Sequence, residues 1–413
     1  MAKVAHVTTT FNQGTGVVAD VSAIAADQKT WGWQVELVTG RHASPRLLAE
    51  LRTRGFPCSQ EPTLRKYIHP VHDLKTVFSL ARVFRRRQFE VVHTHLAKAG
   101  VLGRLAARLA GVKTVLHTVY GATFAPTQPP GRFWLLWALE KLAGTVTTKF
   151  VFVGQELRDA YVKAGICPRE KTEVIYYGRD LRPFMAAASL SPEERQAARL
   201  AAGFGGQDIL LGNVARIVPL KGHQYAIEAV HRLKTRFPNL KLVIVGAAKL
   251  PSEQLYQEKL AAKAVALGIA DRVVFTGWSD NTPFYYSIFD IYLHTSLWEG
   301  VSLSVLEATA AGLPVVGFDC YGMREILGPN GRLVPPRDVA GLATALTNAI
   351  SDPAGLSRAE KLKAIGKLKA RHSVRRMLSE YRYLYAALLA GGAQTKKTAT
   401  SWTESANDKV VTG

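Results

Sequence analysis

Short runs of β-branched and other apolar residues alternate with longer stretches of helical periodicity, and this alternation predicts a fold before any residue chemistry enters. VAHVTTT (4–10) reads as a first strand, followed by the polar turn FNQGTG (11–16) and a helix from about Val17 to Asp27. QVELVTG (34–40), VVHTH (91–95), TVLHTVY (114–120) and TKFVFVG (148–154) predict further strands, with the helix AGVLGRLAARLAG (99–111) between two of them. The same grammar restarts after about residue 205. There DILLGNVAR (208–216), LKLVIVGAA (240–248), RVVFTG (272–277), DIYLHTS (290–296) and LPVVGF (313–318) read as strands. Helices are expected at HQYAIEAVHRLKTRF (223–237) and SEQLYQEKLAAKAVALG (252–268). Strands alternating with helices require crossover connections and hence parallel sheets.

Two α/β units of similar size are therefore expected, with the boundary in YYGRDLRPF (176–184), where a strand-like VIY (174–176) ends and a polar, charged segment begins. We place the first unit at 1–184 and the second at 185–372. SVRRMLSEYRYLYAALL (373–389) has the pattern of one more amphipathic helix. Residues 391–413 are polar and aperiodic, and are expected to be a disordered tail.

Composition narrows the classes. Lysine and arginine total 53 against 32 acidic residues, a net charge of +21, which favours anionic partners such as a phosphorylated substrate, a nucleic acid or an anionic bilayer. The cysteines Cys58, Cys167 and Cys320 have no metal-ligand spacing, so neither a zinc site nor a disulfide framework is expected. No secretory signal and no membrane-length apolar run is visible, and a cytoplasmic location is expected.

The densest chemistry lies in HTSLWEGVSLSVLEATAAGLPVVG (294–317). A strand ends there, a loop carries Glu299 and Gly300, and a helix starts near Ser302. This is a strand–loop–helix unit at the carboxyl edge of a parallel sheet, where open α/β sheets bind ligands. The amides at Val301–Ser304, including those of Leu303 and Ser304, face a positive helix terminus that suits a phosphate. A lone glutamate is usually a solvated residue, but Glu307 sits in an apolar run where an unpaired carboxylate is costly. A second segment, GNVARIVPLKGHQYAIEAV (212–230), delivers Arg216 from a strand and Lys221 at a helix start, two cations that can clamp an anion.

These segments resemble glycosyltransferase family 4, a large retaining family with the GT-B fold. The resemblance rests on Glu299 and Glu307 with seven residues between them, on Gly300, Ala308, Gly312, Pro314 and Val315, and on the Arg-x-x-x-x-Lys-Gly run ending at Gly222. It implies two Rossmann-like domains facing a central cleft, with the C-terminal helix crossing back to the N-terminal domain. It implies that Glu299 binds donor-sugar hydroxyls, that Glu307 binds the nucleotide ribose, and that Arg216 and Lys221 hold the diphosphate. Gly14 and Gly16 match the family's first loop, which approaches the donor, although Gly-Thr-Gly replaces the usual Gly-Gly. The family's strand-end histidine falls on Tyr120, with His117 three positions earlier, leaving both as candidate donor-sugar contacts. The chain contains no Asp-x-Asp, in agreement with the metal-independent transfer that the resemblance implies. The expected function is transfer from a nucleotide diphosphate sugar to a glycan or lipid-linked acceptor in cell-envelope polysaccharide or lipopolysaccharide synthesis, with no cofactor.

Two basic segments extend the picture. Arg82, Arg85, Arg86 and Arg87 lie among apolar residues, and PPGRFWLLWALEKLAG (129–144) brings Phe133, Trp134 and Trp137 beside cations. Such a surface suits an anionic membrane, which makes peripheral docking at the inner membrane face an expectation. The alternative is a core helix beside a solvated arginine face. Nucleic-acid binding would also use the basic charge, but no nucleic-acid-binding motif is present and the glutamate pair would go unexplained. A nucleotide-sugar epimerase of the same fold is a further alternative, and it would be expected to lack the 299–317 pattern.

Overall fold

The computed structural model describes residues 1–12, 16–124, 128–328, 331–352 and 358–390. It contains two sheets, one in each of two separately packed units. The first unit is Met1–Gly178 together with the segment that begins at His372, and the second is Arg179–Arg371. The division falls at Gly178, ahead of the charged segment, so the helices Arg182–Ala187 and Pro192–Ala201 belong with the second unit.

The strands of the first unit are β1 (Lys3–Thr8), β2 (Gln34–Gly40), β3 (Cys58–Glu61), β4 (Val91–His95), β5 (Thr114–Val119), β6 (Lys149–Phe152) and β7 (Thr172–Val174). They pair in parallel in the order β3-β2-β1-β4-β5-β6-β7. The second unit contributes β8 (Ile209–Val214), β9 (Leu240–Val245), β10 (Val273–Gly277), β11 (Ile291–His294), β12 (Val315–Phe318) and β13 (Arg332–Val334), in the order β10-β9-β8-β11-β12-β13. Both sheets thus reverse strand order beside their first strand, between β1 and β4 and between β8 and β11. Those reversals are topological switch points, and they mark where each unit's loops diverge to leave a ligand crevice.

Alternate residues along each strand enter different cores, as a sheet covered on both faces requires. In β1, Ala5 and Val7 pack beneath the helices Pro70–Arg87 and Ala97–Leu109. Val4 faces the other side, with Ile24, Met377, Tyr381 and Tyr385. The helix Val374–Leu389, predicted from its periodicity, therefore packs on the first sheet, so the chain ends its described course on the unit where it began. In the second unit Leu211 and Leu293 join one core while Leu210 and Tyr292 join the other.

Strands β3 and β13 were not predicted. Both are edge strands of three or four residues, and β3 reads CSQE, with no apolar alternation to betray it. The residues assigned to a disordered tail, 391–413, lie outside the described residues.

Candidate active site

The two strands flanking the second unit's switch point carry the charged motif. Beyond β8, the chain passes Arg216 and a short helical turn, Pro219–Lys221, before Gly222 starts the helix His223–Leu233. Gly222 has φ +65°, and a Cβ there would meet the Thr295 carbonyl oxygen at 2.1 Å. Only glycine meets both conditions. This close approach lays the Lys221 loop on the end of β11, where the Thr295 hydroxyl donates to the Lys221 carbonyl at 3.0 Å. The buried His223 donates from Nε2 to the Arg216 carbonyl at 3.0 Å and so holds the other end of the loop. Arg216 itself remains exposed.

The loop after β11 brings Glu299 to Lys221, and the two form a close ion pair. His294 lies beside them, its Nε2 3.6 Å from Glu299 Oε1. Burial raises the carboxyl pKa of Glu299, but Lys221, His294 and Ser296 outweigh it and hold the group below its ordinary value. Glu299 is therefore a carboxylate with a cation in contact, a group able to accept hydrogen bonds from sugar hydroxyls.

Gly300, which is buried, leads into the helix Leu303–Ala310. Its N-cap, Ser302, makes no side-chain capping bond; its hydroxyl lies 3.2 Å from that of Ser304 instead. The first-turn amides of Leu303 and Ser304 thus have no side-chain cap, and the helix terminus retains its positive end.

One helical turn further in, Glu307 is buried. Arg179 donates to its Oε1 from Nε at 3.0 Å and from a terminal nitrogen at 2.5 Å. The Tyr286 hydroxyl reaches its Oε2 at 3.1 Å. Burial raises the Glu307 pKa, and Arg179 and Tyr286 oppose the rise without cancelling it. The two glutamates thus differ: Glu299 is a strong carboxylate, whereas Glu307 is a weaker one held among neutral and cationic donors. Arg179 and Tyr286 were not singled out in the sequence. An arginine at a domain boundary and a tyrosine in an apolar helix carry no spacing signal of their own.

In the first unit, Gly16 opens the helix Gly16–Thr30 after β1, and Gly14 lies outside the described residues. Tyr120 stands at the end of β5, half buried, with its hydroxyl 3.2 Å from His95 Nδ1. His117 does not share that position. It is buried within β5 on the opposite face, hydrogen-bonded at Nδ1 to Thr94, and a Cβ on Gly100 would meet its ring at 2.4 Å. Its imidazole fills the space beneath the helix Ala97–Leu109, which leaves Tyr120 as the strand-end side chain.

Tyr120 terminates a buried chain of polar groups that strand register brings together. The register pairs His6 with His93 and Thr8 with His95. Gln28 contacts His6 Nε2 at 2.8 Å, and His6 Nδ1 contacts His95 Nε2 at 3.0 Å. His93 contacts Tyr385 at 2.6 Å and Thr118 at 2.7 Å. His6, His93 and His95 lie close enough together to consider as metal ligands. Every ring nitrogen of the three already has a hydrogen-bonding partner within the protein, so their arrangement is a polar network rather than an open ligand set. Burial holds all three pKa values down, with His6 at about 4, so the network is neutral.

Comparisons with known proteins agree with this geometry. The family described as Glycosyl transferases group 1 matches residues 194–369, and the family described as Glycosyl transferase 4-like domain matches residues 15–178. The Escherichia coli UDP-Gal:alpha-D-GlcNAc-diphosphoundecaprenol alpha-1,3-galactosyltransferase is 29% identical over 70% of this chain and 74% of its own. EpsD of Bacillus subtilis is 31% identical over 75% of this chain and 80% of its own. Among solved structures, Anabaena Alr3699/HepE in complex with UDP and glucose superposes with a TM-score of 0.75 at 20% identity, covering 94% of this chain and all of that one. WaaG, a glycosyltransferase involved in lipopolysaccharide biosynthesis, gives 0.71 at 18% identity, covering 91% of this chain and 97% of its own. Neither the nucleic-acid nor the epimerase alternative finds support among these matches. The two parallel-sheet units, the charged switch-point loops and the two family matches together place this chain in the group 1 glycosyltransferases, the family 4-like enzymes of GT-B fold.

Proposed function

We propose that the protein is a retaining, metal-independent glycosyltransferase that uses a nucleotide diphosphate sugar and needs no cofactor. The observation that carries this reading is the convergence of Lys221, Glu299 and the uncapped helix start at Ser302 on the β8–β11 switch point. In this reading Arg216, Lys221 and the Leu303–Ser304 amides take the diphosphate, Glu299 takes sugar hydroxyls, and Glu307 takes the ribose. The bond from the anomeric carbon to the diphosphate oxygen breaks, and the acceptor oxygen bonds to that carbon from the same face. The acceptor proton passes to the departing phosphate oxygen. Arg216 and Lys221 stabilise the charge that develops there, so the chemistry draws its rate from preorganised cations. The nucleotide named with the solved relatives and the galactosyltransferase makes UDP-hexoses the first donors to try.

The acceptor is a glycan or a lipid-linked glycan, presented at the inner face of the cytoplasmic membrane. The relative that acts on a diphosphoundecaprenol acceptor supports this choice, as does the first unit's surface. Val71, Leu74 and Phe78 are each more than half exposed on one stripe of the helix Pro70–Arg87, preceded by exposed Tyr67 and Ile68. The stripe continues into exposed Arg82 and Arg85, though Arg85 also donates to the Leu109 carbonyl and Arg87 pairs with Glu36. Of the aromatic residues expected at a membrane, Trp134 is exposed while Trp137 donates to the Ala164 carbonyl at 2.9 Å. Among the described residues no helix is long and apolar enough to cross a membrane, and docking would be peripheral.

Mass spectrometry of the protein incubated with a panel of nucleotide sugars tests the donor, because slow hydrolysis reveals it without an acceptor. Proton NMR of the product's anomeric signal should show an α-linked donor giving an α-linked product, at a rate unaffected by EDTA. An inverted centre would overturn the retaining mechanism. Sedimentation with anionic vesicles should fall with salt and with Leu74→Ser/Phe78→Ser, and a protein indifferent to vesicles at low salt has a soluble acceptor.

A further inference from the structure

His294 ends β11 with its ring buried, and its Nε2 has no hydrogen-bond partner among the described residues. A buried ring nitrogen left unpaired costs free energy, and native structures retain few such groups without a use. The fold invests in its placement. Gly317 on the neighbouring strand has room for no side chain, because a Cβ there would lie 2.9 Å from the His294 Cβ and 2.2 Å from its carbonyl oxygen. The ring also stacks with Tyr292 at 6.3 Å between centroids. Its unpaired nitrogen lies 3.6 Å from Glu299 Oε1, beyond hydrogen-bonding range but within a small side-chain movement of it.

Oε1 is the oxygen that Lys221 occupies. Under the function proposed above, Lys221 must turn toward the donor diphosphate while Glu299 stays aimed at the sugar. A carboxylate that loses its cation in a buried loop would drift or take a proton unless another donor replaced it. The imidazole is suited to that task. Burial is the largest influence on it and brings its pKa to about 4, so it is neutral, and the adjacent carboxylate favours the tautomer with the proton on Nε2.

We propose that His294 is a positioning residue for Glu299, taking the carboxylate by a hydrogen bond from Nε2 when Lys221 leaves it for the donor diphosphate. This rests on the assignment of Glu299 and Lys221 to the donor site, and the experiment separates the two. Nitrogen-15 histidine NMR of the full chain, with the His294 signal identified by its loss in His294→Gln, should find the proton on Nε2. In Lys221→Ala without any nucleotide, that proton should move downfield and exchange more slowly with water. Saturating UDP should shift wild type in the same direction. A proton on Nδ1, or a His294 signal indifferent to Lys221→Ala, would overturn the proposal whatever the protein transfers.

Kinetics provide the second measurement. His294→Leu should lower kcat about tenfold, the loss of one hydrogen bond to a charged group, with little change in donor KM. His294→Gln, which keeps a donor, should recover most of that loss. In a Glu299→Gln background His294→Leu should have no further effect, since a residue acting only through Glu299 has nothing left to act on. Additive losses, or equal losses from Leu and Gln, would overturn the proposal. A Glu299→Gln variant as active as wild type would instead remove the donor-site assignment, and the NMR result would still decide whether His294 and Lys221 compete for that carboxylate.

Discussion

The carboxyl edge of the second sheet presents Arg216, Lys221, Glu299 and Glu307, while the corresponding edge of the first ends in Tyr120 over the neutral residues Gln28, His6 and His95. Strand order at the two switch points is the same, so topology does not cause the difference. What differs is how each edge satisfies its buried polar groups. In the second unit charges are paired, Lys221 with Glu299 and Arg179 with Glu307. Paired charges can exchange partners when an anionic ligand arrives, because the ligand replaces one member of each pair. At the first edge Tyr120, His95, His6 and Gln28 are neutral groups hydrogen-bonded to one another, and the charge that acts on Tyr120 is the buried Asp20 carboxylate, an arrangement that fixes geometry but offers no cation to a departing anion. The second edge is suited to chemistry, and the first to holding a surface.

The sharpest way to break this contrast is to remove charge from the second edge. Arg216→Ala or Lys221→Ala should reduce transfer by tens- to thousands-fold, roughly 2–4 kcal/mol, with circular dichroism unchanged. The exposure of Arg216 means that its loss leaves no buried cavity, so a rate collapse there is a loss of catalysis rather than of fold. Normal rates in either variant would move the diphosphate site elsewhere.

A second test separates the two glutamates. Glu307→Ala should weaken donor binding by roughly 1–3 kcal/mol, the value of a charged hydrogen bond, and isothermal titration with UDP measures it directly. Glu299→Gln should instead lower kcat. Because the Glu307 pKa is raised and that of Glu299 lowered, acid should loosen nucleotide binding before it neutralises Glu299. UDP affinity that follows pH identically in wild type and Glu307→Ala would sink the ribose assignment.

The charged edge was legible in the sequence because chemistry there depends on order and spacing. Arg216, Lys221, Gly222, Glu299 and Glu307 arrive in a fixed succession, and the alternation of strands and helices places them after strands. Their partners were not legible. Arg179 meets Glu307 across 128 positions, and Tyr286 and His294 have the sequence neighbourhood of ordinary core residues. The neutral network of the first unit was hidden for a related reason. His6 and His95 meet only through strand register, and Gln28 joins them from a helix, so no local pattern records the contact. The expected choice between Tyr120 and His117 needed the strand's end and facing direction, which three positions of sequence do not define.

Acid should also tell the units apart. His6, His93, His95 and His117 in the first unit, and His223 and His294 in the second, have pKa values depressed chiefly by burial, several to about 4. The unfolded chain then binds protons more readily than the folded one below the ordinary histidine value. Stability is full above about pH 6.5 and falls as pH drops toward about 4, by roughly 1.4 kcal/mol per pH unit for each histidine. With more such histidines, the first unit should lose stability faster. Urea unfolding at about pH 7 and about pH 5, followed by methyl NMR signals from each unit, measures the difference. Equal losses would mean that carboxylates dominate and that the histidine network is energetically silent.

The smallest effect should come from the first edge itself. Tyr120 keeps its proton, since burial is the largest of the influences that raise its pKa well above the ordinary phenol value, so it acts as a hydroxyl and not as a phenolate. One neutral hydrogen bond to a sugar hydroxyl is worth about 0.5–1.5 kcal/mol, or roughly 2- to 12-fold in rate. Tyr120→Phe keeps the ring that leans on Tyr177 at 5.8 Å and removes only the hydroxyl, so kcat/KM should fall within that range with little change in melting temperature. His95→Phe, which removes the hydroxyl's partner, should give a similar loss in activity and a larger loss in stability, because it also strands His6 in the buried chain. A thousand-fold loss from Tyr120→Phe would place essential chemistry on the neutral edge, and the division of labour between the two edges would fail.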